Sequence, residues 1–400
     1  MPEPIIRPQQ PGTTTTPTNV LCEPVQYLEG ERERLEEGIA LCLSGGGYRA
    51  MLFHVGVLWR LNEIGLLPKL NRISSVSGGS ITAAVLALKW RNALRFENGV
   101  ATNFTEEVVN PIMRLAARTI DVPSVFGGSL WFGSIGDKIT RAYRKHLFGD
   151  ATLQDIVDES PGVSPRFVFN ATNVQSGVLW RFMKPYMRDY IVGEVKNPKV
   201  PLAQVVAASA AFPPVLSPVT LKLNPKDFTP NSGTNLQSDE FMRRVVLTDG
   251  GVYDNLGLET AWKRYKTIFV SDAGGGFEAK ANPSSDWVRH AVRVLFTIDN
   301  QVRSLRKRQI VGAYFDKIRL GAYWSISENL DGFAAQNPLK CPFESTDKLA
   351  RVSTRLCKLD RTTQQKLINW GYAASSWRYG RYYDRSLPPA STFPFSDVGV

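Results

Sequence analysis

The stretch Ile39-Ala-Leu-Cys-Leu-Ser-Gly-Gly-Gly-Tyr-Arg-Ala50 sets the reading of the whole 400-residue chain. Ile39 to Leu43 is a short unbroken apolar run, the pattern of a strand buried on both faces. It stops at Gly45-Gly46-Gly47, where residues without Cβ leave backbone N–H groups open and take φ > 0 without strain. Leu52, Val55, Leu58, Trp59 and Leu61 then recur at helical spacing. The loop therefore delivers N–H groups to a helix N-terminus, a place that favours negative charge. Next, Arg72 to Ser80 leads into an apolar run from Ile81 to Leu88 as a second strand-turn-helix unit, with Ser77 at the apex and Gly78-Gly79 directly behind it. The sequence describes an anion cradle beside an exposed serine, built from adjacent parallel units of one sheet.

Ser77 alone could be a turn residue or helix N-cap. The strand before it, the helix after it and the glycine two residues on are what a nucleophile elbow requires, because helix and strand close up behind a strained serine. A serine hydroxyl is a poor nucleophile until a base takes its proton. His54 lies a turn into the first helix and reads as a packed or surface residue, and His146 and His290 have no supporting motif. Asp249-Gly250-Gly251 follows the strand-like Arg244 to Thr248, which puts an acid at a strand end, where open α/β sheets place ligands. An aspartate before two glycines is also a common turn. Asp254 is the second acidic candidate, or simply fixes the following helix.

Taken together, Gly45-Gly46-Gly47-x-Arg49, Ser75-x-Ser77-x-Gly79 and Asp249-Gly250-Gly251 resemble the patatin-like phospholipase family, whose pattern is G-G-G-x-[RK]-G, then G-x-S-x-G, then a distant D-G-[GA]. Val252-Tyr-Asp-Asn255 and the stretch from Ala208 to Pro218 extend the likeness, which spans roughly Ile39 to Trp324. Ala50 stands where the family has the last loop glycine, and Ser75 where it has the first elbow glycine; both replacements are small. The resemblance implies a three-layer α/β/α fold with a mostly parallel central sheet. It assigns Ser77 as nucleophile, Asp249 as base, and the N–H groups of Gly45, Gly46 and Gly47 as oxyanion hole. Arg49, Gly79, Gly250 and Gly251 take supporting positions, with Arg49 orienting the loop or attracting an anionic lipid head. The activity implied is phospholipase A-type hydrolysis of membrane glycerophospholipids through an acyl-enzyme, with no cofactor and no metal.

Two other classes fit parts of the pattern. Gly45-x-Gly47-x-x-Ala50 satisfies a permissive dinucleotide fingerprint, G-x-G-x-x-G/A. That fold wants an acidic residue at the end of the second strand, where this chain has Ser74, Ser75 and Ser77. No Gly-Lys-Ser/Thr follows, so a P-loop fails as well. A catalytically weakened patatin-like module that binds lipid or signals through a partner would account for Ser75 and Ala50.

Composition sets outer limits. Hydrophobic residues at 43% and charged residues at 21% are ordinary for a globular chain. The cysteines Cys22, Cys42, Cys341 and Cys357 lie far apart without a CxxC, which indicates neither a zinc site nor a disulfide scaffold. No apolar run reaches membrane-span length, and the N-terminus lacks a basic-then-apolar signal pattern. The expectation is a cytoplasmic protein transiently at the membrane surface. Net charge is +11, and from Asp286 onward 18 Lys+Arg face 10 Asp+Glu. A basic surface favours an anionic partner; the reading is an anionic membrane, with no nucleic acid expected.

The remaining organisation follows from punctuation and periodicity. Residues 1–30, rich in Pro, Thr and Gln, read as a disordered or loosely attached arm. Residues 31–330 read as the catalytic domain and 331–400 as a helical extension packed on it. Helix is expected over Phe104 to Thr119, Pro201 to Ala211 and Thr362 to Trp377, and through Val302, Leu305 and Ile310. Arg166 to Thr172 reads as a strand that Val178 to Phe182 could pair with. Val219 to Leu223, Thr267 to Asp272 and Ala322 to Ile326 are also strand-like, and Asn224 to Met242 reads as a polar loop. The segment around Phe126, Leu130, Trp131 and Phe132 is either a loop over the core or an apolar flap that meets lipid. Arg303, Arg306, Lys307 and Arg308 form a closely spaced basic cluster, suited to docking or to an exposed helix face.

Overall fold

The computed structural model describes residues 35–120, 135–333, 337–387 and 389–400. The expected N-terminal arm and the flap residues Phe126, Leu130, Trp131 and Phe132 lie outside the described residues. The strands are β1 (Glu36–Leu43), β2 (Arg72–Val76), β3 (Phe96–Glu97), β4 (Val100–Ala101), β5 (Arg166–Asn173) and β6 (Leu179–Phe182). They continue as β7 (Tyr186–Asp189), β8 (Gly193–Lys196), β9 (Val219–Lys222), β10 (Arg244–Asp249), β11 (Tyr265–Asp272) and β12 (Leu320–Ser325). The helices are α1 (Gly47–Glu63), α2 (Gly78–Asn92), α3 (Asn110–Ala116), α4 (Ile135–Tyr143), α5 (Leu202–Ser209) and α6 (Asp239–Met242). After them come α7 (Gly251–Asp254), α8 (Glu259–Trp262), α9 (Trp287–Phe315), α10 (Phe343–Ala350) and α11 (Arg361–Tyr382).

The chain folds as a three-layer α/β/α sandwich. Its central strands run parallel in the order β12-β11-β1-β2-β5, and β6, β7 and β8 continue the sheet as an antiparallel meander. β1 shows why its sequence is apolar throughout. Leu41 and Leu43 enter the large core built with α1, α2 and α11, while Ala40 and Cys42 enter a second core with Leu256, Leu258, Ala261 and Ile310. Successive strand residues point to opposite faces, so a strand covered on both sides must be apolar at every position. α1 and α11 approach until a Cβ on Gly56 would lie 1.8 Å from the Ile368 carbonyl oxygen, and one on Gly371 would lie 1.9 Å from that of Phe53.

The segment expected as one helix from Phe104 begins with a wide turn over Thr105–Val109 before α3. Within Asn224 to Met242, expected as a loop, lie a single 3-10 turn (Pro225–Asp227) and α6.

Candidate active site

The register of β5 brings the site together. β2 pairs in parallel along one edge of β5 as far as Val76 opposite Asn170, then turns away at Ser77. β10 pairs antiparallel with the next three residues, placing Asp249 opposite Ala171. Thr172 faces Leu179 of β6 and Thr248 of β10 simultaneously, so β10 lies on the edge opposite β6, the edge that β2 vacates. Two strands thus enter one edge from opposite ends and stop beside each other. Asp249 does end a strand, as its sequence context indicates, but that strand runs against the parallel set. The rule for parallel strand ends does not place it; the shared edge does.

Ser77 sits at the turn with φ 51° and ψ −118°, a backbone conformation that non-glycine residues rarely hold and one that costs on the order of 1–3 kcal/mol. The close packing behind it explains the glycines. A Cβ on Gly78 would lie 2.2 Å from the Gly47 carbonyl oxygen, and one on Gly79 would lie 2.5 Å from that of Leu43. Hydroxyls beneath the turn hold it in place. The Ser77 N–H donates to the Ser209 Oγ (3.1 Å), which donates to the Asn170 carbonyl (2.7 Å) and lies 2.8 Å from the Ser80 Oγ. Ser80 donates to Ser75 (3.0 Å), and Ser75 donates to the Val168 carbonyl (3.2 Å). Ser75 departs from the family glycine without disturbing the elbow, because its hydroxyl is satisfied within this chain of bonds. Ala50, the other departure, is a fully buried residue of the first turn of α1.

The Ser77 side chain lies close enough to the Asp249 carboxylate to lower its pKa as a donor would. The Asp249 Oδ1 accepts the Gly251 N–H at 2.7 Å. Asp249 is 2% exposed and Ser77 8% exposed. Burial drives the Asp249 pKa up to about 7; the bond from Gly251 and the nearness of Ser77 oppose the rise, and Asp299 on α9 adds to it. Gly250 lies against β5, where a Cβ would be 2.4 Å from the Asn170 carbonyl oxygen.

Of the three loop glycines, Gly45 is already committed. Its N–H donates to the Asn255 carbonyl at 3.1 Å, so its expected oxyanion role gives way to one of fixing the loop. Among the described residues no acceptor engages the N–H of Gly46 or Gly47. Gly47 takes φ 58°, and a Cβ there would fall 1.8 Å from the Thr354 carbonyl oxygen. Gly78, which the sequence reading passed over as a donor, has an N–H that meets no acceptor among the described residues, in the residue directly after the serine. The 17-residue α1 starts at this loop and adds the positive end of its dipole.

Arg49 is not at the surface. It is buried and donates to the carbonyls of Ala350 (2.6 Å), Val352 (3.0 Å) and Ala273 (2.9 Å). Burial, together with the nearby Arg303, lowers its pKa to about 10. It fastens the glycine loop to the C-terminal part of the chain, and attraction of a lipid head is excluded. The backbone of Thr354 and Arg355 also lies against the loop, on the side where a Cβ on Gly47 would fall.

His54 is packed. Its Nε2 lies 3.0 Å from the Ser44 carbonyl, which can only accept, so Nε2 carries the proton and Nδ1 accepts from the Ser271 Oγ at 2.9 Å. Burial lowers its pKa to about 4. Asp254, the second acidic candidate, accepts the N–H groups of Leu256 (3.1 Å) and Glu259 (2.7 Å) and so fixes the turn into α8. The basic cluster divides. Arg306 pairs with buried Glu259 at 2.8 Å and Arg303 packs toward Gly274, whereas Lys307 and Arg308 remain exposed.

A parallel α/β/α sheet with a strained serine at a glycine elbow, a buried acid beside it and a glycine loop opening a helix defines a class of acyl-transfer fold. The family model for patatin-like phospholipase matches residues 41–262, and the chain belongs to that family. Triacylglycerol lipase ptl3 of Schizosaccharomyces pombe is 30% identical over 206 residues, 49% of this chain and 37% of that protein. A patatin-like phospholipase domain-containing protein of Aspergillus oryzae is 28% identical over 198 residues, 48% of this chain and 23% of that protein. The chain therefore matches only about a third or less of these relatives' own lengths. Among solved structures, human GIVD cytosolic phospholipase A2 aligns with a TM-score of 0.43 at 12% identity, covering 87% of this chain and 58% of that one. VipD from Legionella pneumophila aligns with a TM-score of 0.36 at 15% identity, covering 86% and 67%.

Proposed function

We propose that the protein is a lipid acyl hydrolase of the phospholipase A type that works through a Ser77–Asp249 dyad. The observation carrying this reading is a strained serine elbow set beside a buried carboxylate whose pKa stands at about 7. Asp249 is basic enough there to take the hydroxyl proton as Ser77 Oγ attacks the ester carbonyl. The N–H groups of Gly46, Gly47 and Gly78 receive the charge that develops on the carbonyl oxygen, a term that can exceed any other single contribution. The proton on Asp249 then passes to the departing alkoxide, leaving an ester on Ser77. Water, deprotonated by Asp249, releases the fatty acid. The family, and relatives named as a triacylglycerol lipase and a phospholipase domain protein, support acyl esters of glycerolipids as the substrate class. Against a weakened module stands the elbow itself, in which Ser75 and Ala50 are accommodated without an unmet hydrogen bond.

The reading includes docking at an anionic membrane, through α9 within the described residues. Trp287, Val294, Ile298 and Leu305 fall within about 40° of one another around that helix and are 81%, 45%, 56% and 58% exposed. Arg308 on the same helix is exposed and lies about 60° to one side of that stripe, where it supplies positive charge. The inner side faces the site, where Phe296 stacks on Phe212 with centroids 5.7 Å apart and Asp299 acts on Asp249. No helix among the described residues is long and apolar enough to cross a membrane.

Fatty-acid release from a panel of glycerophospholipids and acylglycerols tests the reading. Ser77→Ala and Asp249→Asn are each expected to lose at least about a thousandfold in kcat, with the double variant little worse than either, because the two act as a unit. A folded Asp249→Asn protein with near-normal turnover would refute the dyad.

A further inference from the structure

A cavity of about 140 Å³ lies between β2, β6 and the α7–α8 segment, away from the strand ends that carry Ser77 and Asp249. Its lining includes Arg72, Arg181, Tyr186, Tyr253, Lys263 and Arg264, with Glu259 as its one carboxylate. The charges do not balance. Glu259 is matched by Lys263 and Arg306, each at 2.8 Å, and Arg264 pairs with Glu36 at 3.2 Å. Arg72 and Arg181 are left over. Arg72 is 6% exposed; it donates through one terminal nitrogen to the Thr260 carbonyl (2.6 Å), and its buried Nε has no acceptor among the described residues. Arg181 has a buried Nε without an acceptor, and among the described residues no carboxylate pairs with it. Its neighbour across the strand pair is another arginine, Arg188, already matched to Glu194 at 3.5 Å.

We propose that this cavity is a binding site for a small phosphate-bearing anion, held by the Arg72 and Arg181 guanidinium groups. Burial lowers both arginines from their ordinary pKa, yet a guanidinium stays protonated in proteins. Arg72, buried and packed 5.1 Å from the Tyr265 ring centroid, and half-buried Arg181 each lack a carboxylate partner among the described residues; desolvated cations of this kind are costly to the fold, and an anion between them lowers that cost. A planar guanidinium presents paired N–H donors that match phosphate oxygens. The cavity accommodates a phosphate group and its immediate ester, not an acyl chain. It requires nothing of the hydrolytic reading.

The test is calorimetric titration and thermal unfolding of the full chain with inorganic phosphate, glycerol 3-phosphate and a water-soluble short-chain phosphatidic acid, against chloride at matched ionic strength. The wild-type midpoint is expected to rise by roughly 3 °C at ligand about 100-fold above Kd. Arg181→Gln is expected to abolish that rise and to melt higher than wild type without ligand, since it removes an unmatched charge; an arginine that merely supports the fold would give a lower midpoint. Arg181→Lys, which keeps the charge but not the fork, is expected to weaken binding about tenfold. Arg181-dependent binding of free phosphate, or of the phosphatidic acid alone, would identify a soluble or a head-group source, and either supports the site. No heat or shift beyond that of chloride in the wild type, or an undiminished shift in Arg181→Gln, overturns it.

Discussion

In the proposed dyad, Asp249 must stay buried to hold its pKa near neutrality and must ionise to accept a proton from Ser77. Its pKa of about 7 makes kcat/KM on a soluble ester rise with pH through an apparent pKa near 7, instead of near the ordinary value of 3.8. A pH profile already flat from about pH 5 upward would contradict this. The same shift has a stability consequence of fixed sign. The folded pKa lies above the unfolded one, so stability from this residue is complete below the unfolded value and lost as pH rises through the folded one. The loss is at most about 4 kcal/mol. Asp249→Asn and wild type are therefore expected to melt together near pH 4, with the variant higher by a few degrees near pH 8; equal midpoints at both values would show that the carboxylate is not held against its charge. Ser77, Asp249 and the glycine loop were legible because each signature is local. The roles of Gly45 and Arg49 were not, because they depend on Asn255, Ala350 and Val352, far along the chain. Nothing local marks an arginine as buried, and arginines rarely are.

At the scale of elements, strand and helix positions were readable from apolar runs and 3.6-residue periodicity, as β1, α1, β2 and α2 show. The direction of β10 was not readable, since an apolar run carries no orientation, and that direction is what joins Asp249 to Ser77. α9 shows a second limit. An amphipathic pattern through Val302, Leu305 and Ile310 was visible, but its full length was not, and periodicity cannot say which side of a helix meets the core. The structure turns Arg303 and Arg306 inward and leaves Trp287, Ile298 and Leu305 outside. If this outer face docks on lipid, Trp287→Ala/Ile298→Ala/Leu305→Ala is expected to slow hydrolysis of anionic vesicles by about tenfold or more while leaving a soluble short-chain ester unaffected. Added salt should slow the wild type on vesicles alone. An equal loss on both substrates would assign these residues to support of the site and remove α9 as a docking face.

For the molecule as a whole, the site depends on segments distant in sequence meeting over one sheet edge. β5 supplies the edge, β2 and β10 end on it, and α5 provides Ser209 beneath the elbow. The chain from α10 to Arg355 closes over the glycine loop through Arg49 and Gly47, so residues beyond the family match complete the site. On the proposed reading, this is how Ser77 is set up for attack with Asp249 as its base: the aspartate arrives from the opposite direction on the same edge. The most direct check is to react the protein with a fluorophosphonate and locate the adduct by mass spectrometry. The account predicts a single adduct on Ser77, lost in Ser77→Ala and slowed by at least about a hundredfold in Asp249→Asn. An adduct on another residue, or labelling undiminished in a folded Asp249→Asn protein, would contradict it.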